Sequence, residues 1–361
     1  MFSPGTDLIE PLRIFSGAPR QAEQNLADFL KWVGGPALFH LRGRDSNRCR
    51  VLCGGLHGNE PSGFFAIHSL LREPPEFPVD TILILGNVKA ALQDPGFYYR
   101  MLSQEEDMNR IWTGGVHTPL RQAAAEVLRY LARRRVEAVV DLHNNSGFYP
   151  IYSVILNGAP SRIALARHWT HRYVRYDGAS LGTFLEVLDR ICPGVVIECG
   201  QAGDPSADLR ALDGAVRFLT AERPFAPSRE FQEDAAVYRC VARVTVPQEV
   251  SLEFGSTPTG SDLTIRPGID RHNFELLKAG TRLAERARPA GRLVVTDAFG
   301  REVTKRFLEH SPRWIRLTQD IVPVMMTNDG RAAKSDCLLY VAERVDVAGA
   351  AEPFPRSSRP A

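Results

Sequence analysis

The 361-residue chain exceeds the roughly 150 residues of a typical single domain, which excludes a mini-protein and favours about two domains. Its hydrophobic fraction of 44% and charged fraction of 24% are those of ordinary globular chains, so a wholly disordered, collagenous or coiled-coil protein is excluded. With 44 Lys and Arg against 42 Asp and Glu, the net charge of +2 is too small for a general field that attracts polyanions, and no nucleic-acid partner is expected.

The N-terminal segment MFSPGTDLIEPLRIF lacks the basic stretch and apolar run of a secretory signal, and no run of about 18 apolar residues occurs anywhere. A cytoplasmic location without membrane association is therefore expected. The six cysteines at positions 49, 53, 192, 199, 240 and 337 include no CxxC pair and are too sparse for a disulfide framework, so they read as buried thiols.

Residues 48–222 alternate strand-like apolar runs with helix-like segments, the signature of a largely parallel α/β sheet. The first strand, Arg50–Gly54, leads through the turn GLHGNE into a helix containing FFAIHSLL, with Pro61 in its first turn. A second strand over Thr81–Gly86 opens a connection from Asn87 to about Gly115, a length that is usually functional. After a helix over 119–134, the run Ala138–His143 ends in the polar segment Asn144–Gly147, and Gly194–Gly200 sets Glu198 near the end of another apolar strand.

From about residue 225 the pattern changes to short β-like stretches separated by Gly, Pro and Asn turns, without regular helices. The expected organisation is a catalytic domain over 1–224, a smaller β-rich domain over 225–348, and a Pro-, Ser- and Ala-rich tail over 349–361 that is expected to be disordered.

His57 and Glu60 form an H-x-x-E pair in a glycine-bearing turn just after a strand. His143 adds a second imidazole at the end of another strand, where open α/β sheets place their ligands. Two imidazoles and a carboxylate suit Zn²⁺ and leave a position open for water, as catalytic zinc sites do. Glu198, between VVI and CG, is an acid in an apolar setting and a candidate general base. In the long connection, Arg100 and the pair Asn109–Arg110 can grip a carboxylate. His68 reads as a packed helix residue, His117, His168 and His171 as surface residues, and Arg133–Arg135 as a solvated helix end. The chain has neither a phosphate-binding G-x-x-x-x-G-K-[ST] loop nor a G-x-S-x-G elbow, which removes nucleotide hydrolysis and serine-esterase chemistry.

Together GLHGNEPSG, DMNRIW, DLHNNSG and VVIECGQ resemble the succinylglutamate desuccinylase/aspartoacylase family of zinc carboxypeptidase-like hydrolases, over about residues 48–205. The resemblance implies a mixed, mostly parallel sheet flanked by helices, with a smaller β-rich C-terminal domain. It implies one Zn²⁺ per chain held by His57, Glu60 and His143, with Glu198 deprotonating the attacking water and protonating the leaving amine. It implies Arg100 as the oxyanion partner and Asn109, Arg110 and Asn144 as substrate contacts, with Arg190 as a further carboxylate contact. The expected activity is deacylation of a small N-acyl amino acid or similar carboxylate-bearing amide. The alternatives are a metallocarboxypeptidase acting on a short peptide and a silent ligand-binding protein of the same fold. A homo-oligomer is compatible with the sequence, which identifies neither the acyl group nor the amine.

Overall fold

The computed structural model describes residues 11–176, 180–226 and 236–345; the 349–361 tail lies outside them. In chain order the first elements are β1 (Arg13–Ser16), α1 (Leu26–Val33), β2 (Ala37–Leu41), β3 (Asp45–Gly54), α2 (Pro61–Arg72), β4 (Val79–Leu85), α3 (Val88–Leu92), α4 (Pro119–Ala132) and β5 (Val136–Asn145). They continue with β6 (Tyr152–Ile155), α5 (Pro160–Ala166), β7 (Arg172–Arg175), α6 (Phe184–Leu188), β8 (Gly194–Gln201), α7 (Pro205–Thr220) and β9 (Ala236–Thr245). The architecture is mixed α/β, and all four expected strands are present, as is the helix expected over 119–134.

Among the described residues, those of Met1–His143, Leu181–Gly194 and Asp208–Pro224 form one compact unit. Its strands run in the order β1-β2-β4-β3-β5, parallel except between β2 and β4. Strands sandwiched between helices must be apolar on both faces, and every residue of β4 is buried. Helix α4 starts where Thr118 accepts the Arg121 N–H and Pro119 takes the first helical position. Its buried stripe of Leu120, Ala123, Ala124, Val127 and Leu131 has helical spacing and joins a core with Val51 and Ile82.

The connection after β4 is less irregular than its sequence suggests. Asn87 accepts the Ala90 N–H and caps α3, and a single 3₁₀ turn forms at Met108–Arg110. Both pieces are too short for hydrophobic periodicity to reveal.

The second unit gathers the described residues of Asn144–Ser180, Val195–Ala207 and Phe225–Ala361. Here β6 lies between antiparallel β8 and parallel β7, and β7 pairs with β9. From Tyr238 onward β9 alternates buried and half-buried residues, as a strand with one face in a core must. A separate five-stranded sheet runs in the order Leu252–Phe254, Leu263–Ile265, Arg282–Arg286, Trp314–Leu317 and Leu308–His310. Among the described residues beyond 225 the α-helices are short, at Thr304–Phe307 and Gly330–Ser335. Among the described residues no helix is long and apolar enough to cross a membrane.

Candidate metal centre

The turn that carries His57 and Glu60 is shaped by glycine. A Cβ on Gly54 at the end of β3 would lie 2.7 Å from the Gly63 Cα, so the start of α2 can press against the strand only because both residues lack side chains. Gly55 has φ +69°, and the Phe64 ring occupies the space a Cβ would need. Between these contacts the chain must reverse within a few residues. The Gly58 N–H donates to the Arg100 carbonyl at 2.9 Å, and the Glu60 N–H to the His57 carbonyl at 3.3 Å.

The other imidazole arrives on β5. Side chains alternate along a strand, so Val139, Asp141 and His143 share one face while Ala138, Val140 and Leu142 take the other.

His57, Glu60 and His143 converge as a buried set whose ligand atoms all lie within 4.8 Å of one another. Both imidazoles direct Nδ1 at the same carboxylate: His57 lies 2.7 Å from Glu60 Oε1, and His143 lies 2.7 Å from Oε2. Each Nε2 meets a second carboxylate, His57 with Asp107 Oδ1 at 3.1 Å and His143 with Asp141 Oδ2 at 2.8 Å. This is the arrangement of metal-binding histidines, in which an outer carboxylate fixes the ring and raises its basicity. The donor set and its burial fit Zn²⁺.

The electrostatics favour positive charge at this point. Burial alone would raise the Glu60 carboxyl, but His57 and His143 outweigh it and hold the group well below the usual carboxylate range. Asp107 is also held low, because His57, Arg100 and Arg110 overcome the penalty of burial. Burial would lower His143, yet the charges of Asp141 and Glu60 push it well above an ordinary histidine.

Arg100 is half-buried and gripped by Asp107, through Nε at 3.0 Å and Nη2 at 2.9 Å, while its Nη1 lies 3.7 Å from Glu60 Oε1. Asn109 presents Nδ2 3.4 Å from His143 Nε2, and its Oδ1 accepts the Phe184 N–H at the start of α6. Arg110 donates to the Asn109 carbonyl at 2.9 Å. These residues therefore gather around the histidines. Arg190 is exposed just beyond α6, and among the described residues no hydrogen bond or ion pair ties it to this cluster.

Asn144 and Glu198 belong to the second unit. Asn144 is buried and its Nδ2 donates to the Gly200 carbonyl at 3.2 Å; half-buried Glu198 accepts from Asn145 Nδ2 at 2.9 Å.

Sequence reasoning misses Asp107 and Asp141. An Asp-x-His pair on a strand was a legible signal, since a period of two places both side chains on one face. Asp107 carries no such signal, because its approach to His57 spans fifty positions. His68 is packed as expected, with Nε2 3.0 Å from the Gln24 carbonyl.

The family model of the succinylglutamate desuccinylase/aspartoacylase catalytic domain matches residues 48–212. Residues 48–212 are similar to that catalytic domain. The matched segment contains every residue assigned above to the metal, the base and the substrate contacts. Solved structures of the succinylglutamate desuccinylase/aspartoacylase family share the fold. A succinylglutamate desuccinylase from Silicibacter sp. TM1040 aligns with TM-score 0.56 and 16% identity, covering 85% of this chain and 88% of its own. The protein from Rhodobacter sphaeroides gives 0.54 and 16%, over 85% and 88%. A mutant of murine aminoacylase 3 gives 0.54 and 17%, over 84% of this chain and 96% of its own. No curated protein matches in sequence. The match indicates a hydrolase of the deacylase/aspartoacylase type.

Proposed function

We propose that this protein is a zinc-dependent deacylase that hydrolyses the amide of an N-acyl amino acid, or of a similar small amide bearing a carboxylate. The observation that carries the reading is the buried His57–Glu60–His143 cluster, with Asp107 and Asp141 behind its two imidazoles. A zinc ion held there would polarise the scissile carbonyl and acidify the attacking water.

The chain's own residues do the rest. Glu198 takes a proton from the attacking water and returns it to the departing amine, so that water adds across the amide to give an acid and a free amine. Arg100, oriented by Asp107, faces the developing oxyanion. The substrate carboxylate is met by Arg110, Asn109, Asn144 and Arg190. The Phe184 N–H, donating to Asn109 Oδ1, fixes the amide so that Nδ2, its donor group, lies beside His143.

The test is removal and return of metal. Zinc-loaded protein should carry one ion per chain and release free amine from N-acetyl, N-succinyl or N-formyl amino acids. A chelator should abolish release and zinc should restore it. Turnover untouched by chelation, with no metal retained, would reject the reading.

A further inference from the structure

We propose that Asn145, itself fixed by Tyr152, is a positioning residue for Glu198. The inference rests on Glu198 being the base. Asn145 is the last residue of β5, where its carbonyl accepts the Ala202 N–H at 2.9 Å, so its backbone is anchored just beyond the end of β8. Its side chain is engaged at both ends. The amide Nδ2 donates to Glu198 Oε2 at 2.9 Å, and Oδ1 accepts from the Tyr152 hydroxyl at 3.0 Å.

This pairing fixes which way the carboxamide points. A flipped amide would set an oxygen against the carboxylate, which only accepts, so the Glu198 contact fixes the orientation and leaves Oδ1 to accept from the Tyr152 hydroxyl. The phenol is held as rigidly as the amide. Tyr152 is fully buried, lies opposite Glu198 in the antiparallel β6–β8 register, and packs its ring 5.2 Å from Phe274 and 5.8 Å from Tyr149. Burial first, and the Glu198 charge next, push its hydroxyl well above an ordinary tyrosine, so it remains a donor wherever the enzyme works.

The arrangement restricts rotation of the Glu198 carboxylate about its terminal bond. A base must meet its proton at hydrogen-bond distance, and displacement of about 1 Å can cost about 100-fold in rate. A neutral amide achieves the restraint without putting a second charge beside the carboxylate.

The experiment uses the zinc-loaded full chain and whichever N-acyl amino acid of the panel above it hydrolyses fastest. Asn145→Ala should lower kcat about 10- to 100-fold, with KM changed less than about threefold, and Tyr152→Phe should lower kcat about 3- to 10-fold. In a Glu198→Gln background Asn145→Ala should cost less than about twofold, because the group it orients no longer acts. Asparagine-selective ¹⁵N spectra give a substrate-free readout, in which Glu198→Gln and Tyr152→Phe each move the Asn145 side-chain resonance. Unchanged kcat in Asn145→Ala beside an inactive Glu198→Gln would overturn the positioning role while leaving the base in place. Equal losses from Asn145→Ala in both backgrounds would also overturn it. Full activity in Glu198→Gln would instead reject the base. If Asn145→Ala does not fold, Tyr152→Phe keeps the packed ring, and an unchanged kcat there is decisive against the proposal.

Discussion

Asp141→Asn is the sharpest probe of the metal centre. Asp141 is fully buried, and its Oδ2 lies 2.8 Å from His143 Nε2. Asparagine has nearly the same size and can still accept from the ring, so the packing of β5 should persist. What disappears is the negative charge that makes His143 a stronger donor and fixes its tautomer. Loss of such an outer carboxylate weakens metal binding about 10- to 100-fold, or about 1.4 to 2.8 kcal/mol. The assay is competition for zinc against a chromogenic chelator at one pH, with thermal melting to verify folding. Asp28→Asn, on the surface of α1, serves as the control and should leave Kd unchanged. A Kd for Asp141→Asn within about twofold of the parent, in a folded protein, would refute the idea that the outer carboxylates tune this site.

Three other outcomes follow from the packing. A Cβ on Gly63 would sit 2.7 Å from the Gly54 Cα, backbone against backbone, so Gly63→Ala should destabilise by about 1–3 kcal/mol; an unchanged Tm would contradict this. Burial would raise the Asp80 carboxyl, but the Gly43 N–H, the Ser46 hydroxyl and His40 hold it below an ordinary aspartate. Because its folded value is depressed, its contribution is complete above about pH 4 and is lost as pH falls through that value. Asp80→Asn should therefore cost about 1–3 kcal/mol near neutrality and flatten the dependence of the urea midpoint on pH in the acid range; parallel curves would contradict the assignment. All six thiols are buried, with Cys49 pushed up to about 11 and Cys53 held well above an ordinary thiol, chiefly by burial. The native protein should leave a thiol reagent unconsumed at mildly alkaline pH and expose six groups on denaturation.

Much of this site is legible in the sequence for a simple reason. His57 and Glu60 are three residues apart, so one turn brings them together, and His143 lies near the end of a strand whose apolar run announces it. Parallel strands must be apolar on both faces, and that made β3, β4 and β5 readable; β8 showed as a similar apolar run. Short elements were not: α3 has five residues, and its start depends on a cap by Asn87 rather than on periodicity. The partners of the site residues were also hidden. Asp107 reaches His57, Phe184 takes the oxygen of Asn109, and Tyr152 holds Asn145, all through the fold and without a repeating spacing. The β-rich half was legible as strands, whereas its helices of four and six residues are too short to show a repeating apolar stripe.

The most direct measurement is release of free amine by the zinc-loaded protein from a panel of N-acetyl, N-succinyl and N-formyl amino acids beside short peptides, with His143→Ala as control. The account predicts release from at least one acyl amino acid, abolished in the variant. Turnover confined to peptides, or hydrolysis that survives in His143→Ala, would contradict it.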